Sequence, residues 1–337
     1  MNDRSAQPLE ISFTSPQDIF RLITPELEKV ELELLRLSAA SISLVSDISR
    51  YLHSSGGKRI RPALLLLCAK MCGAQGDQAV RLGGVMELIH TATLLHDDII
   101  DDAQVRRGRS SVNAKWGNEI TVLLGDWLYM TAFYMAMEER SFRILDVLID
   151  ITRRMVEGEL IQLERNGRVD ITEQDHLEMV ERKTACLFAG CARLGGMIAR
   201  VSPAEEKALS EYGFNVGMAF QLIDDMLDFT SSEAVLGKPV VNDLKEGKLT
   251  LPLIYLLERG DPRHARKLTA LLKSSTIDDR DRDEIIAWVH DYGTLEHTSR
   301  KAFAYAETAK RCLEGFRDSV YRQALIQIPD FIVSRDR

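Results

Sequence analysis

ELIHTATLLHDDIIDDAQVRRGR, residues 87–109, passes from an apolar helical pattern to four aspartates and then to paired arginines. Side chains three or four apart share a helix face. The pattern therefore predicts Asp97 above Asp101 and Asp98 above Asp102, with the isoleucines between them turned aside. Four carboxylates within two turns repel one another unless positive charge sits among them, and hard divalent cations take oxygen ligands of this kind. For one such run alone, a solvated acidic helix end is the better reading. A second run changes the balance: residues 220–229 read FQLIDDMLDF, so Asp224, Asp225 and Asp228 repeat the i, i+1, i+4 spacing of Asp97, Asp98 and Asp101. Two facing carboxylate clusters can hold several metal ions around one polyanion, and a diphosphate fits best.

Composition bounds what surrounds these clusters. A chain of 337 residues, 45% hydrophobic and 28% charged, has the make-up of an ordinary globular protein with a sizeable core. Its net charge of −8 argues against a general nucleic-acid binder. Five cysteines without zinc-site spacing, behind a polar N-terminus with no signal pattern, point to a reducing, cytoplasmic setting. No apolar run reaches the roughly 20 residues that span a bilayer, so a soluble protein is expected.

Only nine prolines interrupt the chain, and apolar residues recur at i, i+3, i+4 and i+7 over long stretches. The predicted fold is all-α, a single large helical bundle around a deep apolar cavity. Residues 1–15 form a flexible tail and 16–337 the helical domain. Helices are expected over 16–36, 77–101, 117–137, 141–164, 173–200 and 203–229, among others, with no strand or hairpin. The 230–248 connection is long for a helix–helix loop, which suggests function.

Cations follow each acidic cluster. Gly56–Pro62, GGKRIRP, sets three cations in four residues beside a helix start, a good anion site. Arg106 and Arg107 follow the first cluster, and local sequence leaves open whether they clamp phosphates or neutralise aspartates. Lys183 and Thr184 lie mid-helix, Gln221 sits one turn before Asp225, and Lys238 and Lys248 flank the long loop.

GGKRIRP, ELIHTATLLHDDIIDDAQVRRG, LLGDWLYMTAF, EGELIQL, KTACLF, FQLIDDMLDF, GKPVVNDLKEGKLTLP and a terminal SRDR occur in this order. In these runs the chain resembles the trans-type isoprenyl diphosphate synthases, and among them the long-chain, octaprenyl-like polyprenyl synthases of bacteria. The resemblance implies that Asp97, Asp98, Asp101, Asp224, Asp225 and Asp228 hold Mg²⁺ on an allylic diphosphate. It implies that Lys58, Arg61, His90 and Arg107 bind isopentenyl diphosphate. Arg106, Lys183, Thr184, Gln221, Lys238 and Lys248 match residues that contact the allylic diphosphate. A homodimer, and transient membrane contact for product release, are also expected. One departure is Val241, where the family commonly carries glycine.

Product length should be set below the first cluster, because a helical turn rises about 5.4 Å, roughly one extended isoprene unit. Ala92 and Thr93, one turn before Asp97, are small. An open tunnel past Ile89, Val85 and Met86, floored by Phe133 and Met137, is expected to give an octaprenyl product, within roughly C30 to C50. A shorter-chain synthase is the alternative. A class I terpene cyclase would need neither GGKRIRP nor the second aspartate run. A di-iron bundle is suggested by the Glu-x-x-His spacing of Glu87–His90 and Glu173–His176, but leaves the cations without a task. A non-catalytic subunit would be expected to lose aspartates.

Overall fold

The computed structural model describes residues 13–37, 42–54, 56–230, 241–274 and 277–335. In order come α1 (Pro16–Arg21), α2 (Thr24–Leu37), α3 (Ser43–Ser54), α4 (Ile60–Met71), α5 (Gln78–Ile100), α6 (Val112–Trp116), α7 (Asn118–Glu138), α8 (Phe142–Arg165) and α9 (Glu173–Val180). A π-helical turn, Glu181–Ala185, joins α9 directly to α10 (Cys186–Ile198), and α11 (Pro203–Thr230) follows. Short helices then lead to Thr294–Cys312 and Val320–Val333.

The apolar runs explain which helices are central. In α4 every residue from Pro62 to Ala69 is buried, so the helix is apolar all round and must be enclosed. It packs between α5, α10 and Val320–Val333. Glycines let α10 come close: a Cβ on Gly195 would lie 2.8 Å from the Leu65 carbonyl oxygen and 2.7 Å from Cys68 Cβ. α10 in turn packs along α11, and Thr294–Cys312 covers the other side of α11. Tyr212, fully buried, donates its hydroxyl to the Leu325 carbonyl at 2.6 Å and ties the last helix to the centre. α5 and α11 thus both run through the core and both end in aspartates.

The bundle differs from the expected pattern in four places. The predicted 16–36 helix is broken after Arg21, because Pro25 has no N–H for the Arg21 carbonyl and its ring crowds that residue. Val105–Arg106 and Arg109–Ser110 form a two-residue antiparallel ladder where only a loop was expected. Arg107 and Gly108 take φ of 52° and 73°, the left-handed pair that a tight hairpin turn requires. The 173–200 helix contains the π turn. Finally, α7 is long and apolar enough to cross a membrane by length and composition, with mean hydropathy 1.3 over its most apolar stretch, only 39% of which is buried. That revises the expectation that no such run exists. Leu123, Met130, Tyr134 and Met137 of α7 are exposed, as are Phe142 and Ile149 of α8.

Candidate active site

A cavity of about 710 Å³ opens where α5, α8, the π turn, α11 and the start of α4 meet. α5 lines it with His90, Thr93, Asp97 and Ile100, spaced three and four apart on one face. α5 ends at Ile100: Asp101 caps it and Asp102 is left-handed, φ 47°, so the four aspartates do not form two continuous turns as predicted. The cluster sits at the helix C-terminus, where the helix dipole is already negative. Protein cations answer it. Lys248 Nζ lies 3.1 and 3.0 Å from the two oxygens of Asp101, and Arg106 Nε lies 2.5 Å from Asp98. Burial would lower Lys248, but Asp101 and Glu246 outweigh it and hold the ammonium above its ordinary range. Burial, opposed by Lys183 and reinforced by Glu159 and Asp101, pushes Asp97 up to about 6.

α11 supplies the facing wall through Phe220, Gln221 and Asp224. Arg335 Nη1 reaches Asp224 Oδ1 at 3.3 Å and its guanidinium lies over the Phe220 ring. Asp225 and Asp228 turn away from this wall. Asp225 is buried between Gln221 Nε2 and His176 Nε2, both 2.9 Å from its oxygens. Asp228 accepts from the backbone N–H of Asn242 and Asp243, each at 3.2 Å, and so anchors the returning loop. Asp98, 2% exposed, faces a separate small cavity on the other side of α5. The six-aspartate ligand set expected from the resemblance is therefore divided. Asp97 and Asp224 line the cavity, Asp101 is held by Lys248, and the other three carry structural bonds.

Lys58 from the loop before α4, Arg61 from the first turn of α4 and the hairpin's Arg107 close the third side. Arg59, left-handed at φ 48°, also lines the cavity and is paired with Glu31 and buried Glu87. Gly57 leaves room for both guanidinium groups: a Cβ there would come within 2.9 Å of the Arg59 and Arg107 nitrogens and move them. Arg107 donates to the Gly56 carbonyl, which joins hairpin and loop. Arg61 Nη1 lies 2.9 Å from His90 Nε2. Burial, with Arg61 and Arg107 nearby, holds His90 well below the usual imidazole range, so it is neutral and accepts from Arg61. Arg61 Nε is buried without a hydrogen-bond partner.

The π turn places two consecutive residues, Lys183 and Thr184, in the same wall. Gly158 of α8 and Gly217 of α11 pinch it: a Cβ on the former would lie 2.8 Å from Lys183 N, on the latter 2.7 Å from Ala185 Cα. Lys183 Nζ sits 2.5 Å from Glu159 and 3.1 Å from Gln162, and Thr184 donates to Gln221 at 2.8 Å. Behind this wall Lys248, Asp225 and His176 line a side chamber of about 140 Å³ that shares Lys183, Thr184 and Gln221 with the main cavity.

Of the expected chain-length residues, only Thr93 lines the cavity. Ala92, Ile89 and Met86 are fully buried, and Phe133 packs on the core. Tyr129, Met155 and Leu160 make the apolar wall instead. Lys238 lies outside the described residues. Glu159, His176 and Arg335 were not singled out as site residues from sequence; the capping box at Thr172, which sets His176 and Val180 on the buried face of α9, was the available signal for His176. The Glu-x-x-His pairs do not assemble: Glu87 holds Arg59, Glu173 holds Tyr255 and Lys301, and His176 holds Asp225.

An all-helical bundle with two carboxylate-tipped helices facing a row of cations defines a diphosphate-handling enzyme. The polyprenyl synthetase family model matches residues 42–289, and the chain belongs to that family. It is a prenyltransferase. It is 36% identical to the octaprenyl diphosphate synthase of Escherichia coli over 95% of this chain and 99% of that protein. It is 37% identical to a short chain isoprenyl diphosphate synthase of Methanothermobacter thermautotrophicus over 86% and 89% respectively. The structure of a polyprenyl synthase from Caulobacter crescentus, complexed with calcium and isoprenyl diphosphate, superimposes with a TM-score of 0.92 at 35% identity, covering 96% of this chain and 98% of that one.

Val241 begins the short helix Asn242–Lys245 with φ 60° and ψ 34°, a left-handed conformation that is an outlier for a β-branched residue. The position needs glycine-like backbone, yet the side chain is fully buried. Backbone strain of about 1–3 kcal/mol offsets burial of about 1.5–3 kcal/mol. Val241→Gly is therefore expected to stay within about 2 kcal/mol of the parent. Val241→Ala keeps most of the strain, loses most of the burial and should be the less stable of the two. Urea unfolding midpoints read the order, and alanine more stable than glycine would remove the strain argument.

Proposed function

We propose that the chain catalyses Mg²⁺-dependent head-to-tail condensation of isopentenyl diphosphate onto an allylic diphosphate, repeatedly, to a long-chain product of octaprenyl type. The observation that carries this reading is one cavity that brings Asp97 and Asp224 together with Lys58, Arg61, Arg107 and Lys183. Asp97 and Asp224 offer carboxylate oxygens, the donors a hard cation prefers. Among the described residues no three metal-binding side chains form a cage. Mg²⁺ sites of this type draw the rest of their ligands from water and substrate phosphate. Asp97, Asp101 and Asp224 are the residues that would hold the metal, and bound Mg²⁺ supplies charge neutralisation on the diphosphate oxygens.

Lys183, Gln221 and Thr184 orient the allylic diphosphate, and Lys183 exchanges Glu159 for phosphate oxygen as negative charge builds on the leaving group. Lys58, Arg61 and Arg107 hold isopentenyl diphosphate, with neutral His90 setting the Arg61 fork. The double bond of this second substrate attacks the allylic carbon as its C–O bond breaks. The proton then lost passes to the departing diphosphate, so no wall residue need act as base. Thr93, Tyr129, Met155 and Leu160 enclose the hydrocarbon and exclude water. A long product requires this wall to part toward the buried Ala92, Ile89 and Met86. The near-complete overlap with the octaprenyl relative favours that length over the shorter-chain alternative. The exposed apolar side chains of α7 and α8 support a homodimer packed on those helices. A cytoplasmic enzyme touching the membrane to release product completes the reading.

The test is incorporation of labelled isopentenyl diphosphate into farnesyl diphosphate by the purified chain, with product sizing. Mg²⁺-dependent incorporation, lost on chelation, and a product near octaprenyl length are expected. Arrest after one addition would discard the long-chain reading, and no incorporation by folded protein would discard the reaction. Asp97 adds a pH signature. Its folded pKa is raised to about 6, so below that pH a proton competes with the metal. Apparent Mg²⁺ affinity in the presence of diphosphate should rise as pH increases through about 6 and flatten above it. A profile with no break near 6 would contradict a raised Asp97 carboxyl at the metal.

A further inference from the structure

His176 has no part in the reaction derived above, yet it is among the most enclosed polar groups of the molecule, 2% exposed. Its place is fixed locally: Thr172 caps α9, and the His176 N–H bonds the Thr172 carbonyl at 3.1 Å. Glu173, in the same turn, points elsewhere, to Tyr255 and Lys301. The imidazole Nε2 lies 2.9 Å from Asp225 Oδ2, while Asp225 Oδ1 accepts from Gln221 Nε2 at 2.9 Å and Gln221 Oε1 accepts from Thr184 Oγ1 at 2.8 Å. An unbroken hydrogen-bonded row thus runs from a buried ring to two side chains on the cavity wall.

We propose that His176 is a positioning residue for the allylic diphosphate, acting through Asp225 on the amide of Gln221. This rests on the proposed function. A side-chain amide has a donor end and an acceptor end, and nothing in its shape chooses between the two orientations. An ionised carboxylate only accepts, so Asp225 fixes which end of Gln221 is the NH₂. A diphosphate also only accepts. In the fixed orientation Gln221 keeps a second N–H for it, whereas the flipped amide would present an oxygen and repel it. Asp225 can select the orientation only while its own carboxylate is held, and His176 supplies the donor to its other oxygen. Removing that donor leaves a buried carboxylate half satisfied and free to turn. The isopentenyl side, Lys58, Arg61, His90 and Arg107, shares no bond with this row, so the effect is confined to one substrate.

The experiment compares wild type, His176→Leu and His176→Asn in steady state, varying farnesyl diphosphate and isopentenyl diphosphate separately, with thermal melts. His176→Leu should raise the KM for farnesyl diphosphate about tenfold, the equivalent of one lost hydrogen bond. Its KM for isopentenyl diphosphate should stay within about twofold, and His176→Asn, which keeps a donor, should recover most of the loss. Folded His176→Leu with both KM values unchanged, or both raised alike, overturns the relay. So does His176→Asn no better than His176→Leu. If His176→Leu does not fold, His176→Gln decides: selectivity between the two KM values like wild type supports the row, and a tenfold rise in the farnesyl value despite the retained donor overturns it. Wild-type incorporation is the control. Its failure counts against the reaction itself, while active wild type with an unselective His176→Leu counts against the relay alone.

Discussion

The structure depends on one electrostatic constraint. Two buried helices, α5 and α11, bring carboxylates to one cavity, and at the C-terminus of α5 the helix dipole already concentrates negative charge. Such a cluster cannot stand alone in a low-dielectric interior. Around it the chain has set cations on three of these carboxylates, Arg106 on Asp98, Lys248 on Asp101 and Arg335 on Asp224, and Lys183 on the neighbouring Glu159 of α8. These are also the groups that a polyanion with its counter-ions would recruit. The resting ion pairs hold the charges apart from one another, and under the proposed function binding would exchange them for phosphate and metal.

The geometry that permits this exchange comes from local departures from ideal helix. The π turn brings Lys183 and Thr184 into one wall, and Gly158 and Gly217 hold it there. Single-turn π bulges interrupt helices where function needs two neighbouring side chains to face the same way. The left-handed Arg107 turns the hairpin back onto Gly56, so that the cations of two separate loops form one row. Val241, left-handed as well, is held by its N–H to the Asp228 carbonyl at 2.8 Å, while the Asp228 carboxylate gathers the next two N–H groups. One aspartate of the second cluster is thus given to shaping the loop.

Much of this was legible in the sequence, because the signals were periodic or repeated. The helical apolar pattern of α4, α5 and α11 needed no tertiary information, and the paired aspartate spacing announced a polyanion site. Asp97, Asp224, Lys58, Arg61, His90, Arg107, Lys183, Thr184 and Gln221 do meet in one cavity. What spacing could not show was which partner each carboxylate meets in the fold. Asp98, Asp225 and Asp228 share a motif with Asp97 and Asp224 but are turned to Arg106, His176 and the returning loop, contacts set by residues distant in sequence. The expected tunnel past Ala92 was argued from rise per turn alone. In the fold, packing against neighbouring helices encloses Ala92, Ile89 and Met86, and Tyr129 and Met155 line the cavity in their place. His176 gave only a weak sign, a polar residue on the apolar face of a capped helix.

The central claim is that the carboxylates gather metal together with diphosphate rather than as a preformed cage. Electron paramagnetic titration of Mn²⁺ into the purified chain, with and without a non-reactive allylic thiodiphosphate, tests it most directly. The account predicts weak binding by the chain alone and tight uptake of several ions once the diphosphate analogue is present. Tight binding without the analogue, or no uptake with it, would contradict it.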